Sequence, residues 1–199
     1  MKILNDSREY ILQNYAEINH LIEEVNFIKN DLDKLCEKIC TEIKEKDWWI
    51  RWSNDFEGPV YRWNSIFFWK KSWHFGNDSL DIIDLDVSDI GLDHLMGTTD
   101  NKPNSGIWTK RLTKLGDGEK EKFEQYFREI SKQMKLDVPR SVFPNESVIG
   151  HRLPYNVDEW IKILKDGRFI DVILEQFDNL SLYIEPIDKA LTMVRKIKK

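Results

Sequence analysis

The chain has 199 residues, of which 41% are hydrophobic and 33% are charged, and it carries a formal net charge of −5. This apolar content is enough for a folded core and excludes a wholly disordered protein, and the length fits one domain with an appendage. No apolar run reaches the ~18 residues of a membrane span, no signal-peptide core follows Met1, and the cysteines are too few for a disulfide scaffold. We therefore expect a cytoplasmic protein that does not bind membranes.

Residues 7–46 carry a heptad repeat of apolar side chains. The a positions of this repeat are Ile11, Ile18, Val25, Leu32 and Ile39. The d positions are Leu21, Ile28 and Leu35. β-Branched residues at a with Leu or Ile at d are typical of coiled coils. The pattern predicts a long helix over residues 1–46 with coiled-coil character, followed by a separate domain over 47–199.

The length of this helix leaves two interpretations open. Forty helical residues span about 60 Å, which is more than a domain of this size needs. In one interpretation the helix lies across the following sheet and adds Ile22, Cys36 and Ile43 to the core. In the other it pairs with a helix of a protein partner, most simply in a parallel homodimer.

Eleven of the 24 aromatic residues fall within residues 48–76. Aromatic residues favour strands, so we predict an antiparallel hairpin structure here, with Gly58-Pro59 as a turn. One face of an unbroken strand over 61–69 carries Tyr61, Trp63, Phe67 and Trp69. We expect the last three of these rings to be buried beneath a helix. The alternative is a partner-binding surface that includes Trp63, Trp69 and Trp73.

An acidic segment follows, with seven Asp and no Lys or Arg between residues 77 and 100. Alternation along its strand gives an apolar face of Ile83, Leu85 and Val87. The same alternation sends Asp84 and Asp86 to the opposite face, toward water. Together with Asp81 they are the best candidates for a metal site, but the segment lacks the Gly and Glu of a calcium-binding loop. It also lacks the adjoining Lys or His that a magnesium-dependent nuclease needs, so the preferred interpretation is a solvated strand face and a metal site is the alternative.

The rest of the chain alternates short strands with amphipathic helices. Strands are predicted at 107–112 and 147–153, and helices at 118–135, from Asn156 to Gly167 and from Pro186 onward. The order of helix, strands and helices indicates an α+β fold. Its long heptad helix precedes a Trp-rich, mainly antiparallel sheet on which the C-terminal helices pack.

No catalytic or cofactor motif accompanies these elements. The four His are scattered, and the sequence has no nucleophile elbow, phosphate-binding loop or dinucleotide fingerprint. Residues 48–76 carry four basic and two acidic side chains, which is too small a surplus for binding phosphates. We therefore predict no cofactor and no catalytic residue, and we do not expect a nucleic-acid partner.

The order of the features is itself informative. A heptad helix is followed by Trp48-Trp49 and by the aromatic segment 63–73, then by an acidic strand, and finally by Leu153-Pro154-Tyr155 running into Trp160. This layout resembles the accessory region that follows the nuclease core in some bacterial PD-(D/E)XK-type proteins. The nuclease core itself, with its acids and Glu-x-Lys on strands, is not in the sequence. The resemblance therefore implies an accessory module and carries over no catalytic residue.

Three functions are open on this basis. The leading hypothesis is a non-enzymatic protein-interaction or accessory module of a bacterial or phage defence or mobile-element system, working through the long helix and the aromatic sheet. The second is a metal-dependent nuclease or other hydrolase that uses Asp81, Asp84 and Asp86. The third is an acidic inhibitor that mimics nucleic acid through residues 77–100.

Overall fold

The computed structural model describes residues 6–74, 83–109, 112 and 118–196. The helices are α1 (Asp6–Gln13), α2 (Tyr15–Ile43), α3 (Asp47–Ile50), α4 (Leu92–Leu95), α5 (Glu119–Gln133), α6 (Val157–Lys165), α7 (Phe169–Ser181) and α8 (Ile184–Lys196). The strands are β1 (Phe56–Arg62), β2 (Ser65–Lys70), β3 (Asp84–Ser88), β4 (Asn104–Trp108) and β5 (Ser147–Arg152). The predicted α+β fold, with its long N-terminal helix, is confirmed.

The described strands form one antiparallel sheet of five strands in the order β1-β2-β3-β4-β5. Each strand pairs with the next one along the chain, so the sheet needs no crossover connection. One row of buried side chains runs across four strands through the pairs of Phe68, Leu85, Ile107 and Ile149. The second half of α2 and helix α7 cover this face of the sheet. The core therefore lies between the sheet and these two helices.

The C-terminal helices follow the predicted signals closely. At the start of α6 the Glu159 amide donates to Asn156 Oδ1 at 3.0 Å, and the Asn156 amide donates to Glu159 Oε2 at 2.7 Å. This reciprocal pair is the predicted capping box. Gly167, with φ of +69°, follows the end of the helix in the left-handed conformation that glycine favours. Among the described helices, none is both long and apolar enough to cross a lipid bilayer.

The predicted aromatic face of the hairpin is wrong, because the chain reverses at Trp63. Trp63 and Asn64 have φ of 54° and 59°, the left-handed values that a two-residue type I′ turn requires. The turn removes Trp63 from any strand face and leaves its ring exposed. On β2 it is Ile66 and Phe68 that point into the core. Phe67 and Trp69 lie on the outer face and are half-buried.

Two further boundaries differ from the prediction. Gly58-Pro59 is not a hairpin turn but lies inside β1, where the register with β2 shifts between Glu57 and Val60. The strand predicted at 107–112 begins instead at Asn104, because polar residues there pair with Ser88 and Arg152 on the neighbouring strands. Residue Asp81 of the predicted acidic cluster lies outside the described residues.

Candidate functional site

The C-terminal half of α2 supplies one wall of the core. Leu32, Cys36, Ile39 and Ile43 are buried, at spacings of four, three and four residues. This spacing places them on one side of an α-helix, and that side faces β1 and α7. Cys36 and Ile43 therefore belong to the core, as the intramolecular interpretation of the heptads predicts.

The N-terminal half of α2 carries the same apolar side beyond the body of the protein, by which we mean the described residues from Leu32 onward. The five residues that continue it, which we call the stripe, are Ile18, Leu21, Ile22, Val25 and Ile28. The exposed fraction is 58% at Leu21, 54% at Ile22, 43% at Val25 and 48% at Ile28. Ile18 is half-buried. The prediction that Ile22 joins the core is wrong, because the described part of the body does not reach this far along the helix.

Helix α1 extends the stripe with little interruption. The Asn14 amide still donates to the Tyr10 carbonyl at 3.1 Å, and the Ile18 amide donates to the Asn14 carbonyl at 3.0 Å. The Asn14 side chain competes for the same Tyr10 carbonyl at 2.9 Å, which marks the junction between the two helices. Ile11, half exposed in α1, lies one heptad before Ile18 and prolongs the stripe.

Two polar contacts hold α2 against the body just after the end of the stripe. Lys29 Nζ lies 3.2 Å from a carboxylate oxygen of Asp93, in the short helix α4. One turn further along, the Tyr61 hydroxyl donates to Asp33 Oδ1 at 2.7 Å. Burial and the hydrogen bond to Asp33 raise the pKa of Tyr61, so the phenol stays protonated as a donor. These contacts define where the body ends and the bare helix begins.

The β1–β2 hairpin turn lies at this same level of α2. We call residues 62–65 the tip. Its Trp63 side chain is 66% exposed, and the Arg62 guanidinium lies 4.3 Å from the centre of the Trp63 ring. Tyr61, which precedes the tip, is bonded to Asp33, and Asp33 lies about 8 Å along the helix from the end of the stripe at Ile28. Two exposed apolar surfaces therefore lie close together.

The predicted interaction residues fall into three groups. Leu21, Val25, Ile28 and Trp63 are exposed; Ile18, Leu35 and Trp69 are half-buried; Leu32, Ile39 and Trp73 are buried. The heptad seam is thus split between the inside of the protein and its surface.

The outer face of the sheet carries the predicted acidic residues. Asp84 and Asp86 are half-buried, which corrects the expectation that they point into water. Burial raises the pKa of Asp86, a hydrogen bond from the Ser88 hydroxyl lowers it, and the charge of nearby Asp89 raises it, and together these effects bring the pKa to about 7. Within the described ranges there is no group of three or more His, Cys, Asp or Glu side chains arranged to hold a metal ion.

The two cysteines are inert thiols. Burial raises the pKa of Cys36 to about 12 and that of Cys40 to about 11. The thiolate is the nucleophile and the metal ligand, so neither residue is in its reactive form at neutral pH. Their place is in and beside the core.

Sequence reasoning missed a buried ionic cluster at the end of β2. Lys70 is only 2% exposed, and its Nζ lies 2.6 Å from Asp188 Oδ2, 3.4 Å from Asp55 Oδ2 and 3.8 Å from the centre of the Trp52 ring. Trp73 Nε1 donates to the other Asp188 oxygen at 2.7 Å. The cluster ties β2 to α8, and it accounts for the burial of Trp73. The turn at Trp63 and Asn64 is the signal that could have revealed this cluster. With the turn in that place, alternation along β2 puts Lys70 on the same core-facing side as Ile66 and Phe68.

Comparisons of the chain with protein-family models, with curated proteins and with solved structures give no match. The stripe and the tip are therefore interpreted from their own chemistry.

Proposed function

We propose that the chain is a non-enzymatic protein-interaction module that associates with a second copy of itself through the stripe. The observation that carries this proposal is the division of a single helix face. The side of α2 that is buried from Leu32 to Ile43 is exposed from Leu21 to Ile28, although both halves have the same kind of apolar side chain. A helix surface of this kind binds best to another helix with a matching stripe.

The apolar area of the stripe is sufficient for reversible association. Removing a half-exposed Leu, Ile or Val from water stabilises a complex by about 1 kcal/mol. With Ile11, a pair of copies brings twelve such side chains together, which gives about 10 kcal/mol before the cost of association. After subtraction of a cost of association of about 4 kcal/mol, about 6 kcal/mol remains, which corresponds to a dissociation constant of tens of micromolar.

Light scattering coupled to gel filtration tests the proposal directly. At several hundred micromolar we expect the mass of the wild-type chain to approach twice its monomer mass of 23.8 kDa. The double variant Leu21→Asp/Val25→Asp should be a monomer with an unchanged circular dichroism spectrum, because both side chains are exposed in the single chain.

Phe27→Asp is the matched control for the double variant. Phe27 is 61% exposed and lies two residues from Val25, on the opposite side of the helix. It should leave the dimer intact. A wild-type chain that stays monomeric at hundreds of micromolar would contradict the proposal.

A further inference from the structure

We infer that the two copies pair antiparallel along the stripe, and that the tip of each copy receives the N-terminal helix of the other. This inference rests on the proposed self-association and adds its geometry. It also assigns an interaction role to the tip, whose exposed Trp63 has no packing function in the described part of the fold.

The position of the body on α2 decides the direction of pairing. Leu32 follows Val25 by seven residues, so the buried face and the stripe lie on the same side of the helix. In a parallel pair in register, residues 32–43 of the partner subunit would lie about 10 Å from the same residues of the first copy. Strand β1 and helix α7 already occupy that space. A parallel pair therefore places each helix inside the body of the other copy.

An antiparallel pair avoids this overlap. The helix of the second copy then runs away from the first body, and its own body lies beyond the N-terminus of α1. The apolar pattern fits this direction, because a residues meet d residues. When Ile18 lies opposite Leu21 of the partner subunit, Ile11 lies opposite Ile28 of the partner subunit.

The same register brings the first turn of α1 to the tip of the other copy. Asp33, which is bonded to Tyr61 beside the tip, lies opposite Asp6 of the partner subunit. The first turn of α1 also contains Glu9 beside Arg8, and it is Glu9 that meets Arg62, whose guanidinium covers the Trp63 ring. A positive side chain near the N-terminal acids and an exposed indole beside an apolar helix are complementary in charge and in polarity.

Charged residues beside the stripe disfavour antiparallel pairing only weakly. In the antiparallel pair Glu17 lies near Glu24 of the partner subunit and Asp33 lies opposite Asp6 of the partner subunit, whereas in a parallel pair Glu24 lies near Lys29 of the partner subunit. Each such pair changes the dissociation constant by about twofold. An overlap between two folded bodies cannot be compensated by contacts of this size.

Disulfide cross-linking in the full-length chain distinguishes antiparallel from parallel pairing of the helices. We expect a mixture of Ile11→Cys and Ile28→Cys chains to form a mixed covalent dimer under mild oxidation, because these positions meet only in the antiparallel pair. Val25→Cys is the matched control, since it meets itself only in a parallel pair. The native thiols give little background, because burial raises the pKa of both.

Charge reversal is an independent test, because one substitution changes the dissociation constant in opposite directions for antiparallel and parallel pairs. Glu24→Lys should lower the dissociation constant about fivefold if the pair is antiparallel, and raise it if the pair is parallel. Glu23→Lys makes the same change of net charge one residue away, on the outer side of the helix, and should have little effect. Sedimentation equilibrium at low salt measures both.

Substitution at the tip tests the second contact. Trp63→Ala should raise the dissociation constant about tenfold, as is typical for a tryptophan at an interface. Ile50→Ala, at an exposed apolar residue of α3 near the other end of α2, should leave it unchanged. Efficient cross-linking of Val25→Cys, or a dimer indifferent to Trp63→Ala, would overturn this inference while self-association stands. A monomeric wild-type chain would overturn both.

Discussion

The two halves of α2 have nearly the same amino-acid pattern and opposite surroundings. We call residues 6–31 the arm and the rest of the described chain the body. In the body, Leu32 and Ile39 continue the heptads and lie in a core with β1 and α7. In the arm, Val25 occupies an equivalent position and is 43% exposed. The difference shows that a heptad pattern identifies which side of a helix will be covered, but not whether the cover comes from the same chain.

The comparison matters because apolar surface in the arm contributes little to the stability of a single chain. A side chain stabilises folding only in proportion to the area that folding removes from water. The arm therefore contributes mainly to association, and the body to folding. Matched substitutions in the two regions separate these contributions.

The largest contrast is expected between two isoleucines of the same helix. Ile39→Ala should lower the free energy of unfolding by about 4 kcal/mol, because it opens a cavity in a fully buried site. Ile22→Ala should change it by less than about 0.5 kcal/mol in the monomer, since the side chain is already half exposed and Ala favours helix. Urea denaturation at submicromolar protein measures both. Equal losses would mean that the arm packs on the body in solution.

Two lysines that pair with aspartates offer a second contrast. Lys70→Ala should cost about 3 kcal/mol, because it leaves the partly buried Asp188 carboxylate without its cation. Lys29→Ala removes an exposed pair with Asp93 at the base of the arm and should cost less than about 0.5 kcal/mol. Thermal and urea unfolding at neutral pH are the measurements. A small effect of Lys70→Ala would show that water replaces the ammonium group, so that the cluster does not tie β2 to α8.

The sequence predicted those parts of the fold that depend on local periodicity. The α+β class, the long helix, the capping box of Asn156 and Glu159, and the buried row on β3 all follow from spacing or from one capping signal. The parts that failed depend on a single backbone event. One type I′ turn at Trp63 and Asn64 inverted the faces assigned to the aromatic residues, since a shift of one position moves every side chain to the other face.

The candidate site could be predicted only in part for a similar reason. The stripe residues were visible as a and d positions, but the length of helix that the body covers depends on tertiary packing. The sequence places Trp63 in the core or, alternatively, in a partner-binding surface, and the exposure of its ring contradicts the first of these interpretations. The turn at Trp63 and Asn64 would have placed Lys70 on the core face, but its partner Asp188 lies more than a hundred positions away, and no local pattern identifies that partner.

The pH dependence of stability tests the half-buried outer face of the sheet. The pKa of Asp86 is about 7 in the folded protein, against about 3.9 when the chain is unfolded. The folded state therefore binds this proton more tightly, so the stability that the group contributes is full below pH ~4 and is lost as the pH rises to about 7. Asp86→Asn cannot titrate and should be more stable than the wild type by up to about 4 kcal/mol at pH 8, because the two pKa values differ by about three units, with little difference at pH 4.

Asp100→Asn controls for the general effect of removing a carboxylate. Asp100 is exposed in the loop before β4. Its substitution should shift the free energy of unfolding by less than about 0.5 kcal/mol at either pH. If Asp86→Asn behaved like this control across the pH range, Asp86 would be solvated, and the outer face of β3 would be the water-facing surface that alternation predicts.

The smallest expected change is at the tip, where an indole contributes almost nothing to folding. Trp73→Ala should cost about 4 kcal/mol, since the ring is fully buried and bonded to Asp188. Trp63→Asn should leave the free energy of unfolding unchanged or raise it by about 0.5 kcal/mol in the monomer, measured by urea denaturation. Asn tolerates the left-handed conformation of the turn better than Trp, and the exposed ring loses only its contact with Arg62.

A variant that folds as well as the wild type but associates less tightly would show that Trp63 serves the interaction between copies. A loss of several kcal/mol would instead place the ring in a packed environment and remove the basis for assigning the tip to an interface.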